Sequence, residues 1–108
     1  MVTFRILQVK DIASCDYAFR SYDKAKFKLE DYQVEYCYTV NFWDQKSDDY
    51  ILDFIFQMFN TAIPEDFDGH SLSVSDLVSI ERDNTECLYY CEPFGWAKVW
   101  DKVKENKK

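Results

Sequence analysis

The alternation of apolar and polar residues predicts two strands in the first 42 residues. The segment TFRILQV, residues 3–9, alternates well enough to form a first strand. The segment DYQVEYCYTVNF, residues 31–42, alternates more regularly, as is typical of a strand with one solvated face. Its apolar face contains Val34, Tyr36, Tyr38, Val40 and Phe42. Between the strands, Ser21 is placed to cap a short helix over residues 22–29, although CDYAF just before it is equally compatible with extended chain.

The segment SDDYILDFIFQMFN has the strongest helical pattern in the chain. Ser47 is a suitable N-cap, and the two aspartates that follow it lie in the first turn, where the helix dipole stabilises negative charge. Asn60 can end the helix in a left-handed conformation. We therefore predict a helix from Asp48 to Asn60 that covers one face of the sheet.

The same helix carries an apolar stripe at helical spacing. The stripe consists of Ile51, Leu52, Ile55, Met58 and Phe59. Because the whole stretch is so apolar, we expect residues 54–59 to be largely buried, with Gln57 as the exception.

The segment PEDFDGHSLSVSDLV follows the helix and leads into the second half of the sheet. Pro64 stops helical continuation, and Gly69 permits a tight reversal. An apolar period-two face then runs through Leu72, Val74, Val78 and Ile80. Alternatively, Ser73 and Asp76 form one helical turn as a capping box. In either case a strand is predicted from about Leu77 to Arg82.

The last third of the chain predicts a hairpin and a second helix. RDNTE, residues 82–86, has the composition of a turn, and CLYYCEP, residues 87–93, returns as the partner strand. Apolar residues then recur at i, i+3, i+4 and i+7, which predicts a short C-terminal helix. These residues are Trp96, Val99, Trp100 and Val103.

Together these elements predict a single α+β domain with a mainly antiparallel sheet of about four strands, packed by one long helix, plus a short C-terminal helix. The chain has 108 residues, 47% of them hydrophobic, which suffices for one core and is too short for two ordinary domains. We place the domain at residues 1–104 and a flexible basic tail at 105–108. Since there is neither a membrane-length apolar run nor a secretory leader, we expect a cytoplasmic protein.

The cysteines and the single histidine do not form a metal-binding pattern. Cys15 and Cys37 are isolated, and Cys87 and Cys91 flank three residues instead of the two typical of a zinc knuckle. We expect four reduced thiols, no metal and no cofactor.

Charge is distributed unevenly along the sequence. The net charge is −7 overall, with +3 for residues 1–28, −13 for residues 30–92 and +3 for residues 93–108. An acidic central segment repels phosphate backbones, so direct nucleic-acid binding is not expected. The acid excess is either a solvated surface or a negative face for a basic partner.

His70 is interpreted as a structural residue. GHS is not the turn of a serine hydrolase, because that motif needs a second glycine where this chain has Ser73. No nucleophile can be assigned to His70 from spacing, so we expect it to form hydrogen bonds in a turn.

Several of these residues resemble a known family. The stretch from Pro64 to Val78, followed by Tyr89-Tyr90 and Phe94-Gly95-Trp96, closely resembles the YodL-like domain of Gram-positive bacteria, phages and conjugative elements. The resemblance is strong over residues 47–96. The family usually has Asp-Ser before Phe-Gly-Phe, whereas this chain has Glu92-Pro93, and the helix predicted from Trp96 onward is an extension relative to the family.

The resemblance implies a gene product of a mobile element with no known enzymatic activity, and it carries over no catalytic residue. Within the motif, Gly69, His70, Ser73 and Asp76 are then structural residues of the fold.

Two functions remain open for such a protein. The first is a non-enzymatic inhibitor that binds a basic bacterial defence effector, such as a CRISPR or restriction nuclease, and blocks its nucleic-acid loading or use through carboxylates. The second is a structural or adaptor module of a mobile-element machine, and an enzyme comes third. The candidate partner-binding residues are Asp44, Asp48, Asp49 and Asp53 near the start of the helix, and Glu65, Asp66 and Asp68 in the loop after it.

Overall fold

A computed structural model describes residues 1–103, which form a five-stranded antiparallel sheet and one α-helix. The elements in chain order are β1 (Val2–Val9), β2 (Tyr32–Val40), α1 (Asp48–Thr61), β3 (Leu77–Arg82), β4 (Thr85–Cys91) and β5 (Trp96–Val103). In the sheet the strands lie in the order β2-β1-β3-β4-β5, so β2 and β5 are the two edges. The α+β class and the antiparallel sheet are confirmed, with five strands instead of about four. The predicted tail, residues 105–108, lies outside the described residues.

The helix begins where the sequence predicted and ends one residue later. The hydroxyl of Ser47 accepts a hydrogen bond from the backbone N–H of Tyr50 at 3.2 Å, which confirms the N-cap. The helix continues through Asn60 to Thr61, and the side-chain amide of Asn60 donates to the carbonyl of Phe56. No helix among residues 1–103 is long and apolar enough to cross a membrane.

The sheet buries apolar side chains on both faces. On one face α1 covers the central strands, with Ile51, Ile55 and Phe59 packed over Phe4 and Val78. The opposite face is covered at one end by the irregular segment 10–31, which contributes a second, mainly aromatic cluster. The β-strands are therefore sandwiched between a helix and a long loop.

The predicted C-terminal helix is wrong, because residues 96–103 form the edge strand β5, paired with β4. Gly95 has φ +87°, so it allows the tight turn between the two strands. The register shifts between Leu88 and Tyr89, which leaves one extra residue on β5. Trp96 consequently packs with the helix-side core and Trp100 with the opposite core. The extra residue of the bulge therefore gives β5 the spacing of apolar residues that is expected of a helix.

The predicted helix over residues 22–29 is also wrong. This part of the chain forms turns and one short 3-10 helix, Leu29–Asp31. The carboxylate of Asp23 accepts a hydrogen bond from the N–H of Ala25, a local bond that favours a turn. The aromatic rings of Tyr22 and Phe27 pack on the sheet in this conformation.

The burial predicted for residues 54–59 is only partly confirmed. Ile55 and Phe59 are fully buried, but Phe54 and Phe56 are each 41% exposed. A helix turns about 100° per residue, so the residues next to a buried stripe necessarily point to its sides.

The predicted apolar face of β2 is also interrupted. The register between β1 and β2 shifts at Glu35, which moves Val34 onto the other face and leaves it 53% exposed.

Candidate functional site

The motif predicted to be structural forms a polar cluster that attaches the loop before β3 to β1. The carboxylate of Asp76 accepts hydrogen bonds from the backbone N–H of Ser73 at 2.8 Å and from the side chain of Gln8 at 3.0 Å. The Gln8 amide also donates to the backbone carbonyl of His70 at 2.9 Å. The predicted helical turn at Ser73 is wrong, because residues 73–76 form a non-helical turn in which Ser75 has φ +80° and the Ser73 hydroxyl donates to the Ser71 carbonyl. β3 begins at Leu77 as predicted.

Gly69 is required by the close approach of this loop to β1. A Cβ atom at position 69 would lie 2.2 Å from the side-chain oxygen of Gln8 and 2.8 Å from the ring of Phe67. These distances are far below van der Waals contact, so no larger residue fits without displacing Gln8.

Asp76 is an unusual group because it is almost completely buried. Burial raises the pKa of its carboxyl to about 6, against the opposing effects of the Ser73 N–H, the nearby His70 and the Gln8 amide. The ring of His70 is 3.8 Å from the Asp76 carboxylate, and its Nδ1 lies 2.7 Å from the carbonyl of Ser71. Gln8 and Asp76 thus bind the loop to β1, and the N–H of Cys91 in β4 donates to the Asp76 carbonyl at 2.8 Å, so the cluster acts as a structural clamp.

The predicted partner-binding carboxylates fall into two groups at opposite ends of α1. One group, Asp44 to Asp53, surrounds the start of the helix, and the other, Glu65 to Asp68, follows its end. A helix of 14 residues is about 21 Å long, so the groups form two patches and not one.

Asp48 differs from the other predicted partner-binding residues because its carboxylate is already occupied. One oxygen accepts hydrogen bonds from the Arg82 guanidinium at 2.7 and 3.1 Å, and the other accepts from the hydroxyl of Tyr89 at 2.5 Å. Burial and the Asp48 carboxylate raise the pKa of Tyr89, which keeps its hydroxyl protonated as a donor. Asp48 thus joins the first turn of α1 to β3 and β4.

The remaining carboxylates near the helix start are exposed. Asp49 and Asp53 are four residues apart, on the same side of α1. Asp44 is exposed as well and lies 2.5 Å from the amino group of Met1. In the second patch Glu65, Asp66 and Asp68 are all exposed.

An exposed aromatic surface lies beside the first patch, where β2 and α1 meet. We call the exposed rings of Tyr38, Phe42, Tyr50 and Phe54 the aromatic corner; they are 56%, 78%, 45% and 41% exposed. Buried Trp43 contacts both Phe42 and Phe54, with ring centroids 6.1 and 5.4 Å apart. Large exposed rings held together in this way are typical of protein interaction surfaces.

The aromatic corner was missed from the sequence, which placed Tyr38 and Phe42 on the apolar face of a strand and Phe54 among the buried residues of the helix. The available signal was the spacing of Tyr50 and Phe54, which are four residues apart but out of register with Ile51 and Ile55. The corner already holds one cation, because the Lys46 ammonium lies 4.7 Å from the centre of the Tyr50 ring.

Few side chains in residues 1–103 are suited to metal binding or to nucleophilic chemistry. Residues 1–103 contain no cluster of three His, Cys, Asp or Glu side chains placed to hold a metal ion. Burial raises the pKa of the Cys91 thiol to about 12, so it stays protonated near neutral pH. A surface cleft of about 570 Å³ lies between the end of β1 and segment 10–31, and its lining mixes lysines with carboxylates.

Comparison with known proteins agrees with the resemblance seen in the motif. The family model of the YodL-like domain matches residues 3–101, which is nearly the whole chain. The match reaches Asp101 in β5, so residues 96–101, the first part of the segment taken from the sequence to be an extension, lie within the domain. Neither the curated proteins nor the solved structures include a significant match.

Proposed function

This chain belongs to the YodL-like domain family, and we propose that it is a non-enzymatic protein that binds a basic partner protein. The observation that carries the proposal is the aromatic corner, whose Tyr50 is three residues from Asp53 and is therefore its neighbour on the surface of α1. Protein interfaces commonly combine buried aromatic anchors with a charged rim, and the rings supply most of the affinity. The carboxylates then select a basic partner and speed its association.

We propose that the partner is a nucleic-acid-binding effector of bacterial defence, such as a CRISPR or restriction nuclease, in the bacterial cytoplasm. Such effectors have basic grooves for phosphate groups, and surface carboxylates compete for the same cations. The family resemblance supports a mobile-element setting, and the segment charge of −13 supports a basic partner. Inhibition of this kind blocks a groove and needs no catalytic residue.

The structure narrows the set of carboxylates to test. Asp48 is left out because its side chain is bound to Arg82 and Tyr89. Asp53, a neighbour of Tyr50 on the helix, and Asp49, one turn before it, come first. Asp44 follows, since it is exposed but lies against the amino group of Met1. The patch formed by Glu65, Asp66 and Asp68 lies at the other end of α1 and is a second, separate candidate.

The test is binding of the purified protein to a CRISPR nuclease and to a restriction nuclease, with release of labelled nucleic acid as a second readout. We expect Tyr50→Ala/Phe54→Ala to weaken binding by about tenfold or more, since central aromatic anchors commonly contribute that much. The matched control is Phe94→Ala, which removes a ring that is 96% exposed at the β4–β5 turn. Loss of binding in the control alone would move the interface to Phe94, Trp96 and Trp100.

The release of nucleic acid separates the two functions that the sequence left open. An inhibitor of loading displaces labelled nucleic acid from the effector as it binds. An adaptor module forms a complex in which the nucleic acid remains bound. Binding to neither nuclease, under conditions where the protein is folded, would contradict the proposed class of partner.

A further inference from the structure

The first turns of α1 bring two exposed rings and a carboxylate together. Tyr50, Asp53 and Phe54 occupy positions i, i+3 and i+4, which are neighbours on one side of a helix. The rings of Tyr50 and Phe54 lie nearly parallel, with centroids 6.5 Å apart and an angle of 23° between their planes. Phe54 also packs edge-on against buried Trp43, with centroids 5.4 Å apart, so the core holds this ring in position.

The Tyr50 ring already binds a cation of the same chain. The ammonium of Lys46 lies 4.7 Å from the ring centre, within the range of a cation–π interaction. The backbone of Lys46 is fixed on both sides, because its N–H donates to the Trp43 carbonyl at 3.0 Å and its carbonyl accepts from the Arg82 guanidinium at 2.7 Å. No carboxylate in residues 1–103 forms an ion pair with this ammonium, so the ring attracts it without help from an acidic side chain.

The carboxylate next to the rings is available to a further cation. Asp53 is exposed and forms no ion pair with any residue from 1 to 103. A lysine ammonium is one compact charge, whereas an arginine guanidinium stacks on a ring by its plane and keeps the N–H groups at its edge for a carboxylate. Arginine is therefore the side chain that can bind the Tyr50 ring and the Asp53 carboxylate together.

We propose that the aromatic corner is a receptor for an arginine side chain of the partner, which stacks on Tyr50 and donates hydrogen bonds to Asp53. In the free protein Lys46 covers the ring and acts as an internal competitor that the arginine displaces. The exchange is feasible because an exposed cation–π contact is weak and the released ammonium returns to water. The inference rests on the proposed function and specifies the side chain that the corner recognises.

The probe is a heptapeptide of alternating glycine and arginine, titrated into isotopically labelled protein and followed by NMR. Its matched control has citrulline at each arginine position, which keeps the planar shape but removes the charge. We expect the arginine peptide to shift the ring signals of Tyr50 and Phe54, the citrulline peptide to bind at least about tenfold more weakly, and a lysine peptide to lie between them. Absence of binding by the arginine peptide at millimolar concentration, or equal binding of any two peptides, would overturn the proposal.

Variants of the ring and of the lysine separate this recognition from a general attraction to acidic residues. Tyr50→Leu keeps an apolar side chain without a π face and should lose about fivefold or more in affinity for the arginine peptide, whereas Tyr50→Phe should retain most of it. Lys46→Ala removes the competitor and should tighten binding by about two- to fivefold. Lys24→Ala removes the same charge from an exposed residue of segment 10–31 and should change the affinity less. Unchanged binding in Tyr50→Leu, or equal effects of the two lysine variants, would overturn the proposal.

These outcomes remain distinct from a failure of the proposed function. Binding of the arginine peptide without binding of either nuclease would contradict the proposed class of partner and support the arginine site. Binding of a nuclease that persists in Tyr50→Leu and is not weakened by an excess of the arginine peptide would support that class of partner and overturn the arginine site.

Discussion

At the scale of single residues, Gly69 leaves no room for a side chain beside Gln8 in the clamp between the loop and β1. We expect Gly69→Ala to lower the free energy of unfolding by about 2 to 4 kcal/mol, since the new methyl group displaces the Gln8 amide. Urea unfolding of Gly69→Ala, Gln8→Ala and the double variant measures this in a double-mutant cycle. The double variant should lose less than the two single losses together, because the clash partner is gone.

A second glycine provides the control for that cycle. Gly95 has φ +87° but open space around it, so Gly95→Ala should cost only backbone strain, about 1 to 2 kcal/mol. Its effect should add to that of Gln8→Ala without coupling. Additivity of Gly69→Ala and Gln8→Ala would contradict the contact that we describe.

Asp76 makes the stability of the protein depend on pH in a specific direction. Its pKa is raised from 3.8 to about 6 in the folded state, so ionisation is opposed by folding. The contribution of this group to stability is complete below about pH 4 and is lost as the pH rises through about 6. We therefore expect the stability of the wild type to fall relative to Asp76→Asn between pH 4 and pH 7, by about 3 kcal/mol at most.

The measurement is urea unfolding of both proteins across this pH range. The difference between them removes the contributions of the other titrating groups, which the two proteins share. A difference that is flat, or that changes in favour of the wild type as pH rises, would show that the Asp76 carboxyl is not strained by burial.

Of the residues that form the clamp, the sequence identified those in the loop but not the one in β1. The motif from Gly69 to Asp76 was recognisable as a local pattern, but its turn, with Ser75 at φ +80°, was neither the strand nor the helical turn that the pattern predicted. Gln8 was not visible, because it lies 62 residues before His70 and occupies an ordinary position in an alternating strand. Residues that come into contact only through tertiary packing have no characteristic spacing in the sequence.

At the scale of secondary-structure elements, the wrong predictions came from sequence patterns that fit both a helix and a strand. The spacing of Trp96, Val99, Trp100 and Val103 fits a helix, but it also fits a strand in which Val99 is the extra residue of a bulge. The helix α1 was predictable because its cap, its first turn and its stripe all agreed. The two predicted helices that failed, over residues 22–29 and from Trp96 onward, lacked this agreement between several signals.

Asp48 should control the attachment of α1 to the sheet. Asp48→Ala removes an ion pair with Arg82, a hydrogen bond from Tyr89 and a charge at the helix start, so we expect a loss of about 2 to 3 kcal/mol. Asp49→Ala is the matched control in the same turn, and it should cost about 0.3 to 1 kcal/mol because it loses only the dipole interaction. Thermal and urea unfolding compare the two, and equal losses would refute the role of Asp48.

At the scale of the whole molecule, the order of the strands and the distribution of charge were beyond the reach of the sequence. Neither alternation nor turn composition indicates that β1 lies between β2 and β3. That order places β2 at an edge, with exposed rings beside it, and α1 separates the acidic residues into two patches. The acidic excess itself was plain from composition, but its surface arrangement depends on the fold.

This arrangement predicts that the two acidic patches contribute unequally to the rate of partner binding. Asp49→Lys/Asp53→Lys reverses charge beside the aromatic corner and should slow association with a basic effector markedly, although each exposed charge is worth only about 0 to 1 kcal/mol. Glu65→Lys/Asp66→Lys/Asp68→Lys changes more charge, but its residues follow the end of α1, about 12 Å along the helix from Asp53, so it should slow association less. The measurement is the association rate at about 50 mM and about 300 mM salt, with the larger effect at low salt.

The control for this comparison is Asp11→Lys/Asp16→Lys, which makes the same change of charge in exposed residues of segment 10–31. It alters the net charge as much as the pair on α1 does, but away from the aromatic corner. If the control slows association as much as Asp49→Lys/Asp53→Lys, the partner responds to net charge alone. A slower rate in the α1 pair only, reduced at high salt, would locate the encounter at the aromatic corner, since screening weakens local attraction but leaves ring contacts unchanged.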